Sequence, residues 1–529
     1  MHRAGRDVDR RPDAGPGSLE CPRRSRDRRP MRSRLLLLVL SCGLALAACS
    51  RRGAAPLTLT LAQPASAVSL DPHLHDEEAT YSTLSHFYSR LVTFGAELEV
   101  VPELALSWEN PTDTLWRFRL RTGVLFHDGR PFTAEDAAAT IRRAIALPGS
   151  KVAFYLQSVE EARAAEPDVL EVRTRYPYAV LLNKLALIDV VPRDAPLAPI
   201  TAPVGTGPYR FVAGAAGQPV VGARFSRFFG PLPAWERVTV LPFPDERERG
   251  TAVSHGKADI AGRLSEDAWA EARSLPGQRM LSREGIGVTM LGFSVKPGSP
   301  FADVRVRRAV ARAVDRRDLA ASWKDAPPAV PMAQLVPPGV FGHSRDFRPE
   351  EPGEAAARAL LAEAGHPGGL DATVLVPDSA RSLAPRLAAQ LARVGIRLKV
   401  DSRPWPGFYE AWNRSEFQAC LFAWSAATTD ISDVFDAILH SPGEGYGGSN
   451  HLGYSDPELD RLIEASNRTL DPYQRLSQVE AALVIFRRDV PVVPLLLRPH
   501  MYAIRPGLDW TPRRDRRIRA VDVKPAEAS

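Results

Sequence analysis

Two short stretches, Leu57-Thr58-Leu59-Thr60-Leu61 and Trp116-Arg117-Phe118-Arg119-Leu120, alternate apolar and polar residues with the period of a half-buried strand. Gly123 and the pair Asp128-Gly129 mark turns after the second of them. Thr133 is placed to cap a helix running to about Ala146, with Glu135 and Asp136 in its positive first turn. Farther along, the spacing predicts helices over Val304–Leu319, Glu354–Ala364 and Leu383–Val394, and strands over Ala372–Val376 and Ile396–Val400. Phe417–Phe422 reads as a further strand. Such alternation predicts mixed α/β domains, and 529 residues are too many for one ordinary core, so two or three are expected.

One apolar segment does not fit a globular element. Leu35–Ala48 is an uninterrupted run of 14 residues behind Arg32 and Arg34, too short for a bilayer of ~30 Å but suited to a signal peptide. It ends in Leu46-Ala47-Ala48-Cys49, which resembles a bacterial lipobox, so Cys49 is the expected lipidation site and new N-terminus. Residues 50–56 then read as a tether, and Met31 is the expected start of translation. This leader changes the meaning of the charge. The chain carries +6, but nine Arg against five acids in residues 1–30, with Arg32 and Arg34, account for all of it. The remaining body is neutral, which gives no support for nucleic-acid binding, since that needs a clustered basic face. Of Cys21, Cys42, Cys49 and Cys420, only Cys420 stays in the body, where it is expected as a packed core thiol without a disulfide partner.

The body offers little catalytic chemistry. It has no Gly-x-Ser-x-Gly elbow, no His-Glu-x-x-His and no Cys/His setting, so no catalytic residue and no enzyme is expected. Gly205-Thr206-Gly207 is followed by Pro208, which removes a backbone donor, and reads as a tight connector rather than a phosphate loop. Asp71-Pro72-His73-Leu74-His75 lacks a third ligand at fixed spacing, so no metal site and no cofactor is expected. His127 reads as a hydrogen-bonded fold residue, and Arg305, Arg307 and Arg308 as partners of local carboxylates.

A series of segments nevertheless occurs in a telling order. Ser69-Leu70-Asp71-Pro72-His73 is followed by Val101-Pro102-Glu103-Leu104-Ala105, then by Leu120-Arg121-Thr122-Gly123-Val124-Leu125-Phe126-His127-Asp128-Gly129 running on to Asp136. Gly205-Thr206-Gly207-Pro208-Tyr209, Asp303-Val304-Arg305-Val306-Arg307, Tyr454-Ser455-Asp456-Pro457-Glu458 and Val490-Pro491-Val492-Val493-Pro494 come after them. In this order the segments resemble the solute-binding proteins of peptide and nickel ABC importers, family 5.

The resemblance implies an α/β, two-lobed periplasmic-binding-protein fold of the large peptide-binding type, with an extra subdomain inserted in lobe one. Its implied division is lobe one over 57–92, 201–290 and 490–529, the insertion over 93–200, and lobe two over 291–489. It also implies an extracytoplasmic, lipid-anchored monomer that closes over a short peptide and hands it to an ABC permease. A non-peptide solute (a metal chelate, a sugar or an opine-like compound) and a sensory, ligand-presenting role are the alternatives.

Site residues follow from the same resemblance. Trp424 leads to Asp430, which falls on the Asp that meets a peptide's α-ammonium in peptide binders of the family. The Pro after it is Ile431 here, and the motif's earlier Asp is Ala427. Asp430 is therefore either that anchor or a loop residue. Trp405 and Phe408 are either walls of a side-chain pocket or an interlobe packing cluster. Residues 440–451, with Tyr446, Asn450 and His451, read as a mobile loop over the cleft.

Overall fold

The alternating segments become the spine of an 11-stranded sheet in the computed structural model, which describes residues 57–321, 323, 326–345, 347 and 351–527. The leader and Cys49 lie outside the described residues. One half of the sheet is built around Thr58–Gln63, which runs parallel to Arg237–Pro242 and to Ile260–Ala261. Val220–Arg224 and Tyr209–Ala213 extend this half to its edge. The other half sets Leu370–Pro377 parallel to both Ile396–Arg403 and Ala419–Ser425. Separate apolar cores lie beneath the halves, one containing Leu59, Tyr209, Ile260 and Tyr502, the other Phe293, Val310, Val374 and Leu421. Two cores against two half-sheets make two lobes.

Two long antiparallel strands, Arg279–Phe293 and Val492–Ile504, belong to both halves. Arg279–Glu284 pairs with Pro499–Ile504 on the first lobe, and Val288–Gly292 pairs with Val492–Leu497 on the second. The ladder breaks between Glu284 and Val288, so the crossing lies at Gly285–Gly287. A side chain is excluded there by close approach. A Cβ at Gly285 would overlap the His500 ring, and one at Gly287 would stand 2.8 Å from Ser425 Oγ and 3.0 Å from Arg516 Nη2.

A separate four-stranded antiparallel sheet, in the order Ala105–Thr112, Leu115–Leu120, Val169–Thr174, Val159–Glu166, packs on the helix Ala134–Ala146. That helix begins as its residues dictate: Thr133 and Asp136 form a reciprocal capping box, with the Thr133 N–H donating to Asp136 Oδ2 at 2.9 Å. The His127 ring bonds Gly207 O at 3.0 Å and accepts from Gly205 N–H at 3.3 Å, so it pins the glycine connector to the turn at Gly129. A Cβ at Gly205 or Gly207 would run into the Phe87 backbone.

Two expectations change. The predicted helix Val304–Leu319 is two helices, Val304–Ala313 and Arg316–Ala321. Val314 turns extended, and the Asp315 carboxylate then accepts from the N–H groups of Arg317 and Asp318, a new N-terminus inside an unbroken apolar period. Arg305 pairs with Asp303, as expected, but Arg307 and Arg308 do not seek carboxylates. They donate to the carbonyls of Asp489, Val490 and Arg488, satisfying the end of the helix Pro472–Asp489.

Candidate functional site

Strand direction locates the cleft. In the first lobe the parallel strands end at Gln63, Pro242 and Ala261; in the second they end at Pro377, Arg403 and Ser425. Register through the crossing strands turns both sets of C-terminal ends toward Gly285–Gly287. Loops that follow the carboxyl ends of parallel strands are where open α/β sheets hold ligands, so the facing loops define one interlobe crevice.

The first-lobe wall carries charged side chains among apolar ones. Gln63, Glu78, Ser82, Arg263, Arg516 and Ile518 line a small recess. Glu78 accepts from Arg263 at 3.2 Å and from Arg516 at 3.3 Å, which fixes both guanidinium groups at the crevice. Arg263 and Arg516 hold left-handed backbone (φ 59° and 64°), a conformation that non-glycine residues adopt only where the surroundings impose it. Arg516 Nε donates to His500 Nδ1 at 2.9 Å, leaving His500 Nε2 to donate to Arg514 O at 3.2 Å. Burial, then the Arg516 charge, hold His500 far below its ordinary pKa, so it is neutral. At the crossing itself Arg498 donates to Ser379 O at 3.0 Å and lies 5.7 Å from the Trp323 ring centre. Burial lowers its pKa to about 10.

The crevice is closed by direct contacts. Asn183, on the helix Leu181–Leu185 beside the four-stranded sheet, donates to Thr428 O at 2.8 Å. Ala179 N–H donates to Asn467 O at 2.9 Å, and Arg514 donates to Pro338 O at 2.7 Å.

The sequence-predicted residues divide. Trp424 is the next-to-last residue of the strand Ala419–Ser425, near the crevice, its indole N–H donating to Asp433 Oδ1 at 3.1 Å. Trp405 opens the helix Trp405–Asn413 just after the strand end Arg403, is 63% exposed, and stacks on Phe408 at 5.5 Å. Phe408 is itself buried among core residues that include Trp412 and Phe422. Asp430, expected to face a ligand ammonium, is met by Arg475 through two hydrogen bonds of 2.7 Å, with both side chains buried. Burial pushes its carboxyl up, but the Arg475 charge and the hydrogen bonds outweigh this and hold it below the ordinary range. Arg475 also lies 4.3 Å from the Phe341 ring centre. The loop expected over the cleft is tied down. Asn450 donates to His440 O and Tyr454 O, Tyr446 stacks on His440 at 4.1 Å, and Gln157 donates to Gly445 O at 3.3 Å.

Sequence reading missed Glu78, Arg263, Arg498 and the run Arg513-Arg514-Asp515-Arg516-Arg517. Five Arg in the seven residues Arg513–Arg519 resemble a solvated tail, yet Arg513, Arg514 and Arg517 are 7–8% exposed. Cys420 is a buried free thiol, pushed up by that burial.

Known proteins place this architecture. The chain is 23% identical over 468 residues to "Heme-binding protein A" of Haemophilus influenzae, covering 81% of this chain and 85% of that one. It is 24% identical over 481 residues to "Glutathione-binding protein GsiB" of Escherichia coli strain K12, covering 87% and 92%. The fold matches that of the periplasmic binding protein DppA from Helicobacter pylori in complex with the peptide STSA, with a TM-score of 0.74, 21% identity, and 89% and 99% of the two chains covered. Residues 99–446, more than half of the chain, match the model of one family, and the chain belongs to it: the bacterial extracellular solute-binding proteins, family 5.

Proposed function

We propose that the chain captures a short peptide in the interlobe crevice and delivers it by lobe closure to an ABC permease. The single observation that carries this is the convergence of both sets of strand ends on one crevice whose lobes share two crossing strands and are closed by side-chain contacts. A solute touching both walls binds the closed form better than the open one, and this difference in affinity is the energy that shifts the population. The importer then distinguishes loaded from empty protein by shape.

Trp405 and Trp424 are apolar walls in this proposal, with Phe408 backing Trp405. Asp430 holds Arg475, while Tyr446 and Asn450 set the shape of the 440–451 loop. The proposed lobes are 57–92, 201–290 and 490–529 for the first, with 93–200 inserted, and 291–489 for the second. Lipidation at Cys49 keeps the monomer extracytoplasmic and membrane-anchored, and its role is transport rather than catalysis.

One observation favours a second reading. The Asp430 carboxylate already has a full bidentate partner in Arg475, so a solute that brings no ammonium to it fits equally well. Heme in the name of one similar protein points the same way. Isothermal titration with a library of di- to penta-peptides is expected to show saturable one-to-one binding. Silence across the library sinks the peptide version and leaves the non-peptide solute.

A further inference from the structure

Next to the recess lies a second polar cluster that the fold does not satisfy. Tyr81 sits on the helix Glu78–Leu84, one turn beyond Glu78. The Arg517 and Arg90 guanidinium carbons lie 5.5 and 5.8 Å from its ring centre, and His75 packs edge-on at 4.5 Å. Tyr81 is 5% exposed, Arg517 7% and Arg90 3%. Tyr81 Oη, Arg90 Nη2 and Asp189 Oδ2 nevertheless have no hydrogen-bond partner. Native proteins rarely leave such atoms unpaired unless a ligand or water completes them.

Two of the three arginines around the cluster close in direct ion pairs. Arg90 pairs with Asp189 at 2.6 Å, and Arg513 with Asp515 at 2.7 Å. Arg517 gives Asp515 only its backbone N–H, at 3.1 Å, and its guanidinium has no carboxylate within 4 Å among the described residues. Burial first, and then the Arg90 charge, pull its pKa down to about 10. Tyr155 lies within electrostatic reach of Tyr81 and Arg517 on one side and of Asp433, the partner of Trp424, on the other. Arg516 and Ile518, the neighbours of Arg517, line the recess itself.

We propose that Arg517, with the Tyr81 hydroxyl and Arg90 Nη2, is a receptor for a carboxylate of the captured solute. This deepens the solute-capture reading and rests on it. Guanidinium is suited to the task, because its fork pairs both oxygens of a carboxylate while the phenol donates from the side. Asp515 and Asp189 act on this guanidinium only through space, and burying it without a contacting carboxylate is a cost borne by the unliganded state.

Thermal unfolding of the full chain tests this with four probes: acetate, glutarate, trialanine and trialanine amide, each against sodium chloride of equal ionic strength. The three carboxylates are expected to raise the melting temperature, and the amide is not. Arg517→Gln is expected to abolish these shifts, weakening trialanine about tenfold or more, while Arg517→Lys keeps part of them. Ligand-free R517Q is expected to melt at or above the wild type, because a buried cation without a contacting carboxylate is gone; a merely structural arginine would give the reverse. The proposal is overturned if no carboxylate shifts the wild type, or if R517Q shifts as the wild type does. Equal binding of trialanine and its amide also overturns it while the peptide reading stands. Shifts by acetate and glutarate with neither trialanine form sink the peptide reading and leave the receptor.

Discussion

Replacing Asp430 separates a structural carboxylate from a ligand anchor. Its side chain is 2% exposed, its partner Arg475 is 7% exposed, and two bonds of 2.7 Å join them. Removing the carboxylate in Asp430→Ala leaves Arg475 buried without its ion-pair partner, held by the Ser466 carbonyl and the Phe341 ring with Asp436 acting on it only through space, which costs about 3–5 kcal/mol for a buried charge stripped of its contacting partner. That is a factor of roughly a hundred or more in the folded-to-unfolded ratio. Removing both charges in D430L/R475M avoids the unpaired ion and is expected to recover most of the loss. Equilibrium urea unfolding, followed by circular dichroism, measures all three proteins. The sign of the pH dependence is fixed as well: the folded carboxyl lies below its unfolded value, so the stabilisation is complete above the unfolded pKa. It is lost only as pH falls through the folded value. A D430A protein as stable as the wild type but unable to bind solute would refute this reasoning and return Asp430 to the ligand.

Three further outcomes follow from the same geometry. Asp436 accepts from Asn467 at 2.8 Å, yet burial raises its carboxyl to about 6 from 3.8, so stability falls as pH rises through about 4–6; D436N is expected to flatten that slope and gain about 1–3 kcal/mol at pH 7.5 in urea titrations. Gly287→Val places a side chain against Ser425 and Arg516 at the crossing, costing about 1–3 kcal/mol by overpacking and holding the lobes apart, an increase in radius of gyration that solution X-ray scattering reads. Trp405→Ala is expected to change stability by less than about 1 kcal/mol, because the ring is 63% exposed, while lowering solute affinity in titration; unchanged affinity removes it from the cleft wall.

Local signals carried the sequence reading far. The Leu57–Leu61 and Trp116–Leu120 alternations, the Thr133 cap and the turn glycine at Gly129 act over a few residues, and each became the expected element. What stayed hidden depends on distant pairs. Nothing near Asp430 announces Arg475, 45 residues on, and Arg513 donates to Phe94 O across 419 residues. The arginine run therefore looks like a solvated tail, although the fold buries most of it between the lobes and against the strand Val92–Phe94. The second helix start at Asp315 was invisible for another reason: the apolar period continues through it, and only the backbone turn at Val314 reveals the cap.

The central claim is that the crevice holds a small solute. Native mass spectrometry of the chain purified without denaturation from its own host tests it most directly. The account predicts one small-molecule adduct per chain, of peptide-like mass and carrying a carboxylate, that is released on unfolding. A folded chain that appears at its bare mass in every preparation, and stays bare after incubation with the host's small-molecule extract, would contradict it.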